Sequence, residues 1–122
     1  MLLKDKFYKV VNTNSDDNNG TFTLSILPDC DVYEGHFPGD PVCPGVCNIE
    51  TIKECAMMLL NKELRIKAIK LCRLTALASP AICPEVKVAI NATNNGDGTY
   101  LIIASIADDK QQYMSFKGAL SI

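Results

Sequence analysis

The chain carries one histidine, His36, inside the stretch GHFPGDPVCPGVCNIE that runs from Gly35 to Glu50. An imidazole with an unperturbed pKa of about 6.5 can take up a proton near neutrality. The carboxyl of Glu50 can deliver one there only if burial or a neighbouring like charge lifts it above its usual value of about 4.3. Between the two, Pro44 and Gly45 stand where a helix is expected to begin. Proline is tolerated at a helix start because its missing N–H would lack an intrahelical partner, and glycine lets another group approach the backbone closely. The free amides of Gly45 and Val46, backed by the helix dipole, can hold a developing oxyanion. Each part also has an ordinary reading. A lone imidazole often bonds a backbone carbonyl, and Glu50 can belong to a solvated stripe or pair with Lys53. Pro38, Pro41 and Pro44 suit an extended polyproline path.

The elements that must position these residues follow from hydrophobic periodicity. From near Val46 to near Asn61 the pattern predicts a helix whose apolar side chains (Ile49, Ile52, Cys55, Ala56 and Met57 among them) occupy most of its circumference. Glu50, Lys53, Glu54 and Asn61 form its one polar stripe. A helix so nearly apolar all round needs other elements to wrap it. Strands are predicted for FYKVV (Phe7 to Val11), followed by NTNSDDNNG, a run of turn formers that can supply tight turns, and for TFTLSIL, where Phe22, Leu24 and Ile26 alternate with polar neighbours. Four more follow the helix: KAIKLCRLTALA, EVKVAINAT, TYLIIASIA and YMSFKGALSI. In the last of these, Met114, Phe116, Leu120 and Ile122 are expected on one side. NNGDG marks a hairpin between two of them. The order β-β-α-β-β-β-β makes an α+β domain, one helix against a mostly antiparallel sheet.

Composition narrows the function classes. The 122 residues are expected to form a single domain, and a net charge of −2 speaks against general nucleic-acid binding. No apolar run reaches the ~18 residues of a membrane span, and the opening MLLKDKFYKV lacks a secretory core, so a cytoplasmic location with no membrane partner is expected. Lys62, Arg65, Lys67, Lys70 and Arg73 cluster, and either form a solvated face or dock an acidic partner. The six cysteines show no CxxC spacing, so buried free thiols rather than a metal site are expected.

The spelling H-F-P-G-D-P-V-x-P-G-V-x-x-x-E, from His36 to Glu50, resembles the signature of the 3-hydroxyacyl-acyl-carrier-protein dehydratases of fatty acid synthesis. The resemblance implies a hot-dog fold, in which a curled antiparallel sheet wraps one long central helix. It implies loss of water from a 3-hydroxyacyl thioester to give the trans-2-enoyl product, with no cofactor and no metal. Carried over by position, His36 is the catalytic imidazole and Glu50 its acidic partner across a dimer interface. The Gly45 amide, with Val46 beside it, polarises the thioester carbonyl. The partners implied are an acyl carrier protein bearing the 3-hydroxyacyl chain, docked on the basic cluster, and a second copy in a homodimer or a dimer-based assembly. The stretch IKLCRLTALASPAICPEV departs from the family pattern, with Leu74, Ala76, Leu77 and Ala78 in place of bulkier or charged groups. Glutamate at the acid position favours plain dehydration over the isomerising subclass. The alternatives are a hot-dog acyl thioesterase and a non-catalytic subunit that binds acyl thioesters.

Overall fold

A computed structural model describes residues 1–35 and 43–122 of the chain. The strands are β1 (Tyr8–Ser15), β2 (Asn19–Ile26), β3 (Arg65–Leu74), β4 (Glu85–Asn94), β5 (Thr99–Ala107) and β6 (Gln112–Ser121). Between β2 and β3 lie a short helix α1 (Val32–Gly35) and the long helix α2 (Gly45–Leu60). All strand pairings in the sheet are antiparallel, in the order β1-β2-β4-β5-β6-β3. The sheet packs one face on α2.

Alternation decides which side chains meet the helix. In β4, Val86, Val88, Ile90 and Ala92 are buried while Glu85, Lys87, Ala89 and Asn91 are exposed. Register carries these rows across the sheet. Phe22 pairs with Val88, Val88 with Ile106, Ile106 with Met114 and Met114 with Leu74. A second row runs Gly20, Ile90, Ala104, Phe116, Cys72. The core therefore lies between these rows and the buried face of α2, where Ile52, Cys55 and Ala56 are wholly enclosed.

Both rows end in the open. Leu74 and Cys72 face the helix side of the sheet, yet they are exposed, as is Ile69 opposite Gly118. The strand β3 is an edge of the sheet, with a neighbouring strand on one side only. Gly118 on β6 allows β3 to come this close. A Cβ there would stand 2.7 Å from the Ala68 carbonyl oxygen and 2.8 Å from the Phe116 ring.

Turns close the hairpins by chemistry that the sequence displays. Gly96 and Gly98 take φ of 84° and 85° in the β4–β5 turn, a region that costs a side chain strain. Asp16 and Asp108 each accept backbone N–H bonds across the β1–β2 and β5–β6 turns.

Several expectations need correction. The first strand does not stop at Val11 but continues to Ser15, leaving a tight turn at residues 16–18. Pairing of Thr13, Asn14 and Ser15 with Phe22, Thr21 and Gly20 outweighs the turn preference of those polar residues. The third strand begins at Arg65 and ends at Leu74, because β6 continues to pair with it back to Ser121. Ile122 lies beyond β6 and is exposed rather than on the inner row. The short helix α1 had no periodic signal. On α2, Val46 is 72% exposed, and Glu54 belongs to the buried face, not to a solvated stripe.

Candidate active site

Helix α2 starts at Pro44, whose extended backbone (φ −62°, ψ 141°) turns the chain into the helix and which offers no side-chain cap. The amides of Cys47 and Asn48 both bond the Pro44 carbonyl, at 3.0 and 3.1 Å. Gly45 and Val46 precede them in the first turn, where an N–H has no intrahelical acceptor. Among the described residues no side chain caps this end. The leucine at the end of β3 leans on it: a Cβ on Gly45 would lie 3.3 Å from Leu74 Cδ1.

Glu50 sits one turn further along, its side chain 22% exposed and its Oε1 3.2 Å from Lys53 Nζ. Burial raises its carboxyl above the ordinary value, and the neighbouring Glu54 carboxyl adds to the rise, while Lys53 opposes it. The pairing with Lys53 that sequence spacing allowed is therefore present. It does not cancel the effect of desolvation.

Glu54 is wholly buried and serves three donors. Its Oε2 accepts the Leu3 amide at 3.0 Å, and its Oε1 accepts the Lys4 amide at 3.0 Å and the Tyr8 hydroxyl at 2.8 Å. Burial and this bond push the Tyr8 hydroxyl well above its ordinary range, so it stays a donor. Sequence reasoning missed Glu54. The available signal was its i, i+4 spacing from Glu50 on a helix that needed wrapping.

Asn48 is another residue that spacing alone did not single out. Its carboxamide is buried, and its Nδ2 has no hydrogen-bond partner among the described residues. Cys43 anchors the approach to the helix, its amide bonding Ala78 O at 2.7 Å and its thiol lying 3.5 Å from the Tyr33 hydroxyl. Burial pushes the Cys43 thiol up to about 11 and raises Cys47 as well. Neither is poised as a thiolate nucleophile near neutrality. All six cysteines are free, though Cys72 is exposed on β3 rather than buried.

The sequence-derived site is thus brought together in part. Gly45, Val46 and Glu50 share the first turns of α2. His36 lies outside the described residues. Of the basic cluster, Lys62 follows the helix, while Arg65, Lys67, Lys70 and Arg73 line β3; all five are exposed.

The family model described as ApeI-like, ApeI dehydratase, matches residues 12–117. The chain belongs to the ApeI-like dehydratase family. Among proteins similar to this ApeI-like chain is a 3-hydroxyacyl-[acyl-carrier-protein] dehydratase FabZ of Levilactobacillus brevis. It is 27% identical over 95 residues, a match spanning 72% of this chain and 64% of that protein. A protein of the same name from Caulobacter vibrioides is 44% identical over 34 residues, 28% of this chain and 21% of the other. Among solved structures, the dehydratase heterocomplex ApeI:P from Xenorhabdus doucetiae superposes with a TM-score of 0.74 at 19% identity, covering 94% of this chain and 98% of that one. A hypothetical thioesterase with coenzyme A from Streptococcus pneumoniae gives 0.67 at 7% identity, covering 93% and 84%. These likenesses, with the strand order above, show that this member of the ApeI-like family has the hot-dog fold. Among the described residues no helix is long and apolar enough to cross a membrane.

Proposed function

We propose that the chain dehydrates 3-hydroxyacyl thioesters carried on an acyl carrier protein, giving trans-2-enoyl thioesters. The observation that carries this reading is a half-buried carboxyl with a raised proton affinity, Glu50, one turn from an uncapped helix end. In this scheme the amides of Gly45 and Val46 polarise the thioester carbonyl. His36 of one subunit takes the proton from the carbon next to that carbonyl, and the electron pair forms the new double bond. The bond from the third carbon to its hydroxyl breaks, and Glu50 of the other subunit supplies the proton that lets the oxygen leave as water. The proton on His36 then returns to Glu50 through solvent, restoring both groups.

Sharing the site between subunits is supported by the open edge of β3, where Ile69, Cys72 and Leu74 extend the inner rows without cover. Such a row of apolar side chains is what a second hot-dog domain would bury. The exposed cations on β3 and after α2 offer an acidic carrier protein a docking face.

The test is product identification by mass spectrometry with 3-hydroxyacyl carrier-protein substrates. Enoyl product is expected from the wild type, and free acid would mark a thioesterase instead. His36→Ala and Glu50→Gln are each expected to abolish turnover, and mixing the two variants is expected to restore activity through mixed dimers. Near-wild-type dehydration by either single variant overturns the assignment. A second reading has its own support in the ApeI:P likeness, which is to a heterocomplex. If the chain requires a related partner subunit, the purified homodimer is inactive and gains activity when that partner is added.

A further inference from the structure

The edge strand β3 pairs with β6 on one side and has no strand on the other. Its sequence, RIKAIKLCRL, holds four cations (Arg65, Lys67, Lys70 and Arg73) and no acid. All four are exposed, and among the described residues none of them takes part in an ion pair. Arg65 and Arg73 stand opposite Ser121 and Ser115 of β6, whereas Lys67 and Lys70 are the unmatched residues where the ladder shifts register. Lys117 of β6, opposite Leu71, adds a further exposed cation behind the edge. The nearest acid along the chain, Glu63, precedes the strand.

A second strand laid along this edge brings its side chains within about 5 Å of those on β3. That is inside the screening length of roughly 8 Å at physiological salt. For an identical copy using the same edge, the outcome does not depend on register. Cations meet cations, neither strand has an acid to offer, and two-fold symmetry repeats every cross-strand pair. The opposite edge, β1, carries Lys9 and likewise no acid. Neither edge of this chain therefore complements β3. The apolar side chains on its inner side, Ile69, Cys72 and Leu74, still favour cover. Apolar burial calls for a neighbour here, and charge decides which one.

We infer that β3 is the docking edge for a second hot-dog chain whose own edge strand is acidic, and that its cations prefer this partner to an identical copy. The inference deepens the shared-site reading by naming the chemistry of the neighbour that completes the site. The pairing preference itself requires no catalysis.

Charge reversal supplies an acidic edge for the test. A variant carrying Arg65→Glu, Lys67→Glu, Lys70→Glu and Arg73→Glu is mixed with wild type. The two chains differ in mass, so native mass spectrometry counts each kind of dimer. In about 0.1 M ammonium acetate the mixed dimer is expected to be favoured about tenfold over statistical mixing. At about 1 M the screening length shrinks to roughly 3 Å. The mixed dimer should then loosen while each self-pair tightens, whereas a purely apolar seam would move all three in one direction. Statistical mixing at low salt overturns the inference, and so does the absence of any mixed dimer. Carrier protein bound to the wild-type cations while mixing stays statistical assigns those charges to carrier docking and overturns it too. Should the variant fail to fold, sedimentation of wild type decides: self-association that strengthens with salt supports the inference, and association unchanged or weakened by salt refutes it. Preferential mixing in a protein that forms no enoyl product sinks the dehydratase reading and leaves the edge preference standing.

Discussion

The central strand β4 and the edge strand β3 send side chains into the same inner rows, and they meet different fates. Val88 and Leu74 are members of one row, three strands apart. Val88 is completely buried and Leu74 is 51% exposed. The helix shows the same division. Its Glu54 side is sealed by the N-terminal segment, whereas Val46 near its start faces outward. The difference teaches that the fold finishes its core on one side only. On the other, the apolar surface ends beside the amides and the carboxyl proposed to do the chemistry.

Substituting these two members of the row gives the widest contrast. Val88→Asp puts an unpaired charge in a closed core and is expected to cost 4 kcal/mol or more, roughly. Chemical denaturation should find the variant largely unfolded. Leu74→Asp is expected to leave the fold of the single chain within about 1 kcal/mol of wild type. Under the proposed shared site, it should nonetheless yield monomers in analytical ultracentrifugation where the wild type sediments as a dimer, and remove dehydration activity. A dimer that survives Leu74→Asp would break the comparison.

The sealed side of the helix is next in size. Tyr8→Phe removes a donor from a buried carboxylate and is expected to lower stability by about 1.5–3 kcal/mol, measured by urea unfolding. Where centre meets edge, Gly118→Ala drives a methyl group against the Ala68 carbonyl and is expected to cost about 1–3 kcal/mol. Its increased amide exchange should be concentrated in the β6–β3 ladder rather than in β4.

The smallest effect is a pH dependence. The folded state holds the Glu50 proton more tightly than the unfolded chain, whose value is near 4.5. Between that value and the raised folded one, the native state binds more protons, so this group's contribution to stability is present at low pH and falls as pH rises. Stability of Glu50→Gln relative to wild type should therefore rise across that window, by no more than about 1 kcal/mol. Thermal melts of the two proteins at a series of pH values would show it, and a relative stability that falls with pH would give the opposite sign.

How legible these features were depended on whether their causes were local. Alternation in EVKVAINAT and the turn glycines of NNGDG are short-range signals, and β4, β5 and their hairpin lie where they point. The breadth of apolar residues on α2 likewise called for a sheet around it. The end of β1 was hidden because Asn and Ser favour turns by themselves, while the pairing that extends the strand comes from β2. Glu50 and Gly45 were marked by a motif, but Glu54 was not. Its donors are 46, 50 and 51 residues away in sequence, and two are backbone amides that almost any residue could supply. A glutamate beside Lys53 thus looked solvated, though tertiary structure encloses it.

The 3.3 Å approach between a methyl of Leu74 and the place where Gly45 would carry a side chain has an evolutionary consequence. The strand rim and the start of the helix share one small space, so altering either burdens the other. Under the proposed function, a lineage that enlarged the acyl slot here would have to rebuild the proposed subunit seam in the same step.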